Sequence, residues 1–185
     1  AGGPCVCNPE PLADFFDLFI VGEGEEVNLE LMDLYREMKA RGAGRRAFLQ
    51  EASRIPGIYV PSLYTVAYHE DGTIREMIPH DGAPQTIQKR IIPDLDRAFY
   101  PDTFVVPFTE TVHDRAVEEV LRGCLRGCRF CQAGFLYRPF REKSPETINR
   151  QCRALCDNTG YQEISLSSLS TSDHSRLSET LEELL

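Results

Sequence analysis

The clearest periodicity in the chain lies between residues 27 and 41, where Val27, Leu31, Leu34, Tyr35 and Met38 fall on one face of a helix. Gly42 and Gly44 mark its end. Ahead of it, Leu18–Val21 (Leu-Phe-Ile-Val) is a short apolar run of the kind that forms a buried strand, and Gly22-Glu-Gly-Glu-Glu26 joins the two as a turn. Glu23, Glu25 and Glu26 place negative charge at the helix's first turn, where the dipole favours it. Strand, glycine turn and helix make an α/β unit, and Pro9–Phe16 has room for one short helix before it.

From residue 45 the pattern changes. Pro56, Pro61, Pro79, Pro84, Pro93, Pro101 and Pro107 interrupt short β-like runs and leave no space for a long helix. Tyr64–His69 and Thr73–Ile78 flank Asp71-Gly72, a good hairpin signal. The α/β rhythm returns at His113. Ala116–Leu121 reads as a strand; Ser144-Pro145 reads as an N-cap and first-turn proline opening a helix to about Asn158, with Gly160 as its stop. Gln162–Leu166 is the next strand, and Ser172 or Asp173 caps a last helix whose Leu177, Leu181, Leu184 and Leu185 share a face. The expected division is an α/β part over 1–44, a connector with a β-hairpin over 45–112, and a β-α-β-α part over 113–185. Two β-α repeats neither close a parallel barrel nor cover both faces of a sheet. The chain therefore reads as part of a longer α/β protein, cut inside a domain at both ends.

Composition alters this picture little; the cysteines alter it a great deal. At 185 residues and 42% hydrophobic, the chain has an ordinary globular make-up. No apolar run approaches the roughly 18 residues that span a bilayer, and there is no secretory pattern, so no membrane partner and a cytoplasmic location are the expectations. The net charge of −9 argues against nucleic-acid binding by the whole surface. The seven cysteines are odd in number and clumped at 5 and 7, at 124, 128 and 131, and at 152 and 156. That distribution favours metal ligation in a reducing compartment over a disulfide framework.

Cys124, Cys128 and Cys131 are spaced C-x3-C-x2-C on one short loop that follows a strand. A structural zinc site normally closes with four ligands, and an electron-transfer cluster is normally held by four cysteines. Three thiolates around a four-iron cubane leave one iron open to something other than protein. Gly123 and Gly127 let the backbone bend tightly enough for the sulfurs to converge. Placement after a strand puts the metal at the C-terminal face of a parallel sheet or barrel, where α/β folds carry their chemistry. Arg122, Arg126, Arg129, Arg138, Arg141 and Lys143, set against the single acid Glu142, make a basic island around the loop. It offsets thiolate charge and steers an anionic ligand. Phe130 is positioned to shield the cluster or stack on a flat ligand, and Gln132, Tyr137 and Arg138 follow closely enough to line the site.

The spacing of Cys124, Cys128 and Cys131, with the aromatic Phe130, resembles the signature of the radical S-adenosylmethionine (SAM) superfamily. The resemblance implies a [4Fe-4S] cluster whose open iron chelates the amino and carboxylate groups of SAM. It also implies reductive cleavage to a 5′-deoxyadenosyl radical, fed by an electron donor such as flavodoxin or ferredoxin. Gly2-Gly3-Pro4 and Phe19–Glu26 with the following helix resemble the tail of the flavodoxin-like, cobalamin-binding-type domain that precedes the barrel in one large subgroup. The runs Arg122–Lys143 and Gly160–Ser170 resemble an uncharacterised branch of it. The implied fold is the first two β-α units of a partial parallel (β/α) barrel. Two features depart from the family pattern. The glycine-rich strand-end motif that contacts the SAM amino group is replaced by Ser167-Ser168-Leu169-Ser170, whose hydroxyls or carbonyls take its place. No cobalamin-ligating histidine motif is visible, so the resemblance carries no cobalamin ligand onto these residues.

Other groups carry less. Cys152 and Cys156, at i and i+4 of the predicted helix, fit a core-facing stripe better than a metal site. Cys5 and Cys7 alternate along an extended segment and point apart. His69, His80, His113 and His174 lack metal spacing and read as surface or turn residues, and Gly22-x-Gly24 is too short for a dinucleotide fingerprint. The leading expectation is a radical SAM enzyme, of which this chain alone is inactive, acting on an unknown substrate such as RNA or a small anionic molecule. The alternative is a non-catalytic zinc- or iron–sulfur-binding module that interacts with RNA, its metal completed by Cys152, Cys156 or a histidine.

Overall fold

The computed structural model describes residues 1–109 and 111–184. The chain forms two compact units, Ala1–Ile92 and Pro93–Leu185.

In the first unit, a 3-10 turn at Pro4–Cys7 precedes strand β1 (Phe19–Ile20), helix α1 (Gly24–Ala40) and helix α2 (Arg45–Ala52). Strand β2 (Ile58–Tyr59) pairs antiparallel with β1, matching Phe19 to Tyr59 and Ile20 to Ile58. The turn at Gly22 is shaped by a close approach. Gly22 has φ +118 and bridges Arg90 in parallel, and a Cβ there would lie 2.7 Å from the Arg90 nitrogen. The Arg90 side chain then reaches α1, donating to Glu26 at 2.7 Å and to Glu30 at 2.6 Å. Glu23 accepts from the Ile92 amide instead of capping α1. Helix α1 starts three residues ahead of its apolar stripe; Val27, Leu31 and Met38 are buried, and Tyr35 stays exposed. Val27 and Leu31 meet Leu49, Ala52, Ile58, Val60 and Leu63 in the main core.

Two expectations are corrected here. The 3-10 turn at Pro4–Cys7 replaces the extended segment, leaving Cys5 and Cys7 exposed with Val6 buried between them. The Pro9–Phe16 helix shrinks to a 3-10 turn at Glu10–Leu12. The hairpin forms as strands β3 (Tyr64–Tyr68) and β4 (Ile74–Pro79), closed by Gly72 at φ +82, with Asp71 Oδ1 accepting from the Thr73 amide at 2.9 Å.

In the second unit, strand β5 (Ala116–Glu119) leads through β6 (Leu121–Arg122), the short helix α3 (Ala133–Leu136) and β7 (Arg141–Glu142) into helix α4 (Pro145–Thr159). Ser144 Oγ accepts from the Thr147 amide at 3.2 Å, and Gly160 ends the helix at φ +78. These are the cap and stop read from the sequence. Strand β8 (Ile164–Ser167) then lies parallel to β5 in the register Ala116–Ile164 to Glu119–Ser167, the arrangement a strand–helix–strand crossover requires. Val120, Leu121, Ile148 and Cys152 form the core, with Ile164, Leu166 and Leu184 packed against it.

Helix α5 (Leu177–Leu184) starts later than expected, after a 3-10 turn at Thr171–Asp173. Its buried residue is Thr180, whereas Leu181 is exposed; Leu185, assigned to the same face, lies outside the described residues. The architecture is mixed α/β. Among the described residues every sheet is two-stranded, none closes into a barrel, and no helix is long and apolar enough to cross a membrane.

Candidate metal centre

The cysteine loop leaves the core and returns to it at one point. Strands β6 and β7 pair antiparallel, Leu121 with Glu142 and Arg122 with Arg141, and the Lys143 amide donates to the Val120 carbonyl at 3.0 Å. Everything from Gly123 to Phe140 is carried on that stem. Gly123, at φ +86, packs so closely on the returning chain that a Cβ would lie 2.8 Å from Phe140 Cα. No larger residue fits there.

Cys124 and Cys131 are half-buried and Cys128 is exposed; all three are free thiols. Cys131 closes a turn begun by Cys128, its amide donating to the Cys128 carbonyl at 3.0 Å, and its sulfur lies 3.9 Å from where a Cβ on Gly134 of α3 would stand. The Arg126 amide donates to Cys124 Sγ at 3.5 Å. Between Gly123 and Phe140 there is no carboxylate or imidazole, so the loop offers sulfur donors alone. Soft thiolates in that number suit an iron–sulfur cluster. Among the described residues no group of three or more Cys, His, Asp or Glu side chains is already gathered around a metal-sized space.

The other predicted residues are dispersed around this loop. Phe130 is 92% exposed. Arg138 Nε donates to the Gly134 carbonyl at 3.0 Å, and its guanidinium lies over the Phe135 ring at 5.0 Å. Cys152 is fully buried in the core with Val120, Leu121 and Ile148, where burial pushes its thiol up to about 12. The basic island is largely committed inside the unit: Arg122 forks onto Glu119 at 2.9 Å, Arg126 pairs with Asp173, and Lys143 is buried against Glu118.

The serine turn after β8 lies beside the cysteine loop. The Val120 amide donates to the Ser167 carbonyl at 3.1 Å. Ser168 Oγ shares a hydrogen bond with Thr171 Oγ1 at 2.8 Å and accepts from the Ser170 amide at 3.2 Å. Ser170 Oγ donates to Asp173 Oδ2 at 2.8 Å, and the same oxygen takes Arg126 Nε at 2.8 Å. The Arg126 guanidinium and then the Ser170 hydroxyl hold the Asp173 carboxyl below the usual carboxylate range. Asp173 is thus a loop partner and not the helix cap expected of it.

His174, read as a surface or turn residue, is buried, and its Nε2 lies 2.9 Å from the Lys143 carbonyl. Ser175 donates to Glu142 through both its amide and its hydroxyl at 2.6 Å. Residues 173–175 therefore fasten both the front and the stem of the cysteine loop. None of these ties was legible from spacing, because each joins residues more than thirty positions apart.

Residues 1–61 match the family described as "Radical SAM proteins, N-terminal". The chain is also 32% identical over 142 residues to a protein of Methanocaldococcus jannaschii described as uncharacterized, covering 76% of this chain and 24% of that protein. The chain thus spans about a quarter of the length of the curated relative it matches. No solved structure matches.

Proposed function

We propose that this chain is the cluster-bearing part of a radical SAM enzyme, with Cys124, Cys128 and Cys131 holding a [4Fe-4S] cluster. The observation that carries this reading is the sulfur-only loop, three thiols with no oxygen or nitrogen ligand among them, mounted where β5 ends beside its parallel partner β8. The likeness of residues 1–61 to the N-terminal part of radical SAM proteins supports it independently, because that stretch contains none of the loop.

Cys124, Cys128 and Cys131 would hold the cluster, which would supply one-electron reduction of the SAM sulfonium, fed by an external donor such as flavodoxin or ferredoxin, to give methionine and the 5′-deoxyadenosyl radical. The protein's own groups have simpler tasks. Arg126 stands between the first two thiols along the chain, and its guanidinium is held on Asp173. Gly123 and Gly127, at φ +86 and +62, let the loop turn around its contents. The Ser167–Ser170 turn offers carbonyls and hydroxyls to the amino group of SAM, and Phe130 supplies an exposed ring for a flat ligand to stack on. A reducing, cytoplasmic setting suits seven free thiols. The substrate is proposed to carry anionic groups, RNA included, and a salt-dependent binding titration checks that.

The test is anaerobic reconstitution of the full-length protein with iron and sulfide, followed by SAM and a strong reductant. About four irons per chain and release of 5′-deoxyadenosine are expected, and Cys128→Ala is expected to abolish both. Full cluster absorbance in Cys128→Ala, or a colourless protein with one tightly held zinc, contradicts the assignment.

A further inference from the structure

We propose that the Arg126–Asp173 pair is a positioning latch: it fixes the spacing between the cysteine loop and the serine turn, and through that spacing the affinity for SAM, while supplying no metal ligand. The inference rests on the function proposed above.

Arg126 sits between Cys124 and Cys128, and its guanidinium forks onto both oxygens of Asp173. Asp173 ends the 3-10 turn that follows β8, and its side chain is 11% exposed. The same carboxylate holds Ser170 Oγ at 2.8 Å, whose amide donates to Ser168 Oγ, which in turn shares a hydrogen bond with Thr171 Oγ1. One carboxylate therefore joins the thiol loop to every hydroxyl link of the serine turn. An exposed ion pair contributes little stability by itself. This one is planar and two-pronged, which fixes direction as well as distance. Among the described residues Asp173 is the carboxylate that Arg126 pairs with, so the front of the loop has this anchor in addition to its β6–β7 stem.

A ligand that chelates an iron on one loop and hydrogen-bonds the backbone of the other senses their separation directly. A misplacement of about 1 Å costs a positioned reaction on the order of a hundredfold in rate, and a ligand held from both loops is exposed to the same loss of alignment. The thiols are set by the loop's sequence and stem, so cluster loading does not share that sensitivity.

The experiment follows the EPR spectrum of the reduced cluster in the reconstituted full-length protein as SAM is added. Asp173→Asn and Arg126→Gln are each expected to retain about four irons per chain and to bind SAM on the order of tenfold to a hundredfold more weakly. The double variant is expected to be no weaker than either single variant, as for two residues acting as one unit. Arg126→Lys keeps the charge, loses the fork, and falls between. Arg126 is 63% exposed, so its replacement reads out the pair without disturbing the core if Asp173→Asn fails to fold. Unchanged SAM affinity in the single variants overturns the latch, as do additive losses in the double variant or loss of iron together with affinity. A wild-type protein that loads no cluster, or whose reduced cluster ignores SAM, overturns the proposed function itself.

Discussion

Lys143 Nζ lies 2.6 Å from Glu118 Oε1, with the two side chains 2% and 0% exposed. Lys143 also donates to Gln151 Oε1 at 2.8 Å and stands 4.0 Å from the centre of the Tyr100 ring. Its amide closes the stem of the cysteine loop on Val120, and its carbonyl takes His174. A single residue thus anchors the returning strand through backbone and side chain alike. Buried ion pairs often add little over a well-packed apolar pair. What this one adds is a fixed point at which the cysteine loop meets the core.

Removing one partner is therefore expected to cost far more than removing both. Lys143→Met leaves a carboxylate sealed from water and should destabilise the fold by about 3–5 kcal/mol, whereas Glu118→Leu with Lys143→Met should regain most of the loss. Urea unfolding midpoints measure the difference. Burial, outweighing Lys143, already holds the Glu118 carboxyl above the usual carboxylate range. Without the ammonium it rises further, so the single variant should suffer less at pH 5 than at pH 8, where the group must ionise or unfold. An equal loss at both pH values would remove the lone carboxylate as the cause.

Gly22 gives a prediction for the first unit. Gly22→Ala forces a Cβ into the Arg90 backbone at a φ of +118, a region L residues rarely enter. Strain and overpacking together should cost on the order of 3 kcal/mol. Amide exchange of Glu23 and Arg90, whose backbone bonds cross this contact at 3.0 and 2.8 Å, should accelerate more than that of the β3–β4 hairpin. Uniform acceleration, or none, would deny Gly22 this role.

What the sequence disclosed was what neighbours along the chain decide. Ser144, Pro145 and Gly160 bound α4 because caps and left-handed stops act within one helical turn. Asp71-Gly72 turns the hairpin for the same reason. The cysteine loop is legible because its three thiols come from one short stretch. Helix α2 went unseen between Gly44 and Pro56, where prolines on the far side suggested β-structure throughout. Glu118 was readable in principle: strand alternation places it in line with Ala116 and Val120, both buried, and an acid in that row needs a partner. Which partner was beyond reach, since Lys143 looked like one more charge in a basic island. Asp173, which with Ser172 the pattern offers as a cap, instead ties to Arg126 across 47 positions, a link no periodicity reports.

Cys152 supplies the last prediction, and its direction follows from where the proton is held. The thiol is buried at the centre of the second unit's core, and burial pushes it up to about 12 from an ordinary 9.0. Tyr100 is also raised, by burial and then by Glu118. A group that grips its proton more tightly when folded lends its full stabilisation below its unfolded value and loses it as pH climbs to the folded one. The unfolding midpoint should therefore fall between about pH 9 and 12, and Cys152→Ala should flatten part of that fall. At neutral pH the same burial should leave Cys152 unreacted with iodoacetamide while Cys5, Cys7 and Cys128, all exposed, are labelled. Cys152→Ala should also keep the full iron load, because the residue packs and does not ligate. A midpoint that holds or rises across that pH window, or alkylation of Cys152 in the native protein at the rate of Cys128, would show that its thiol is not sealed in the core.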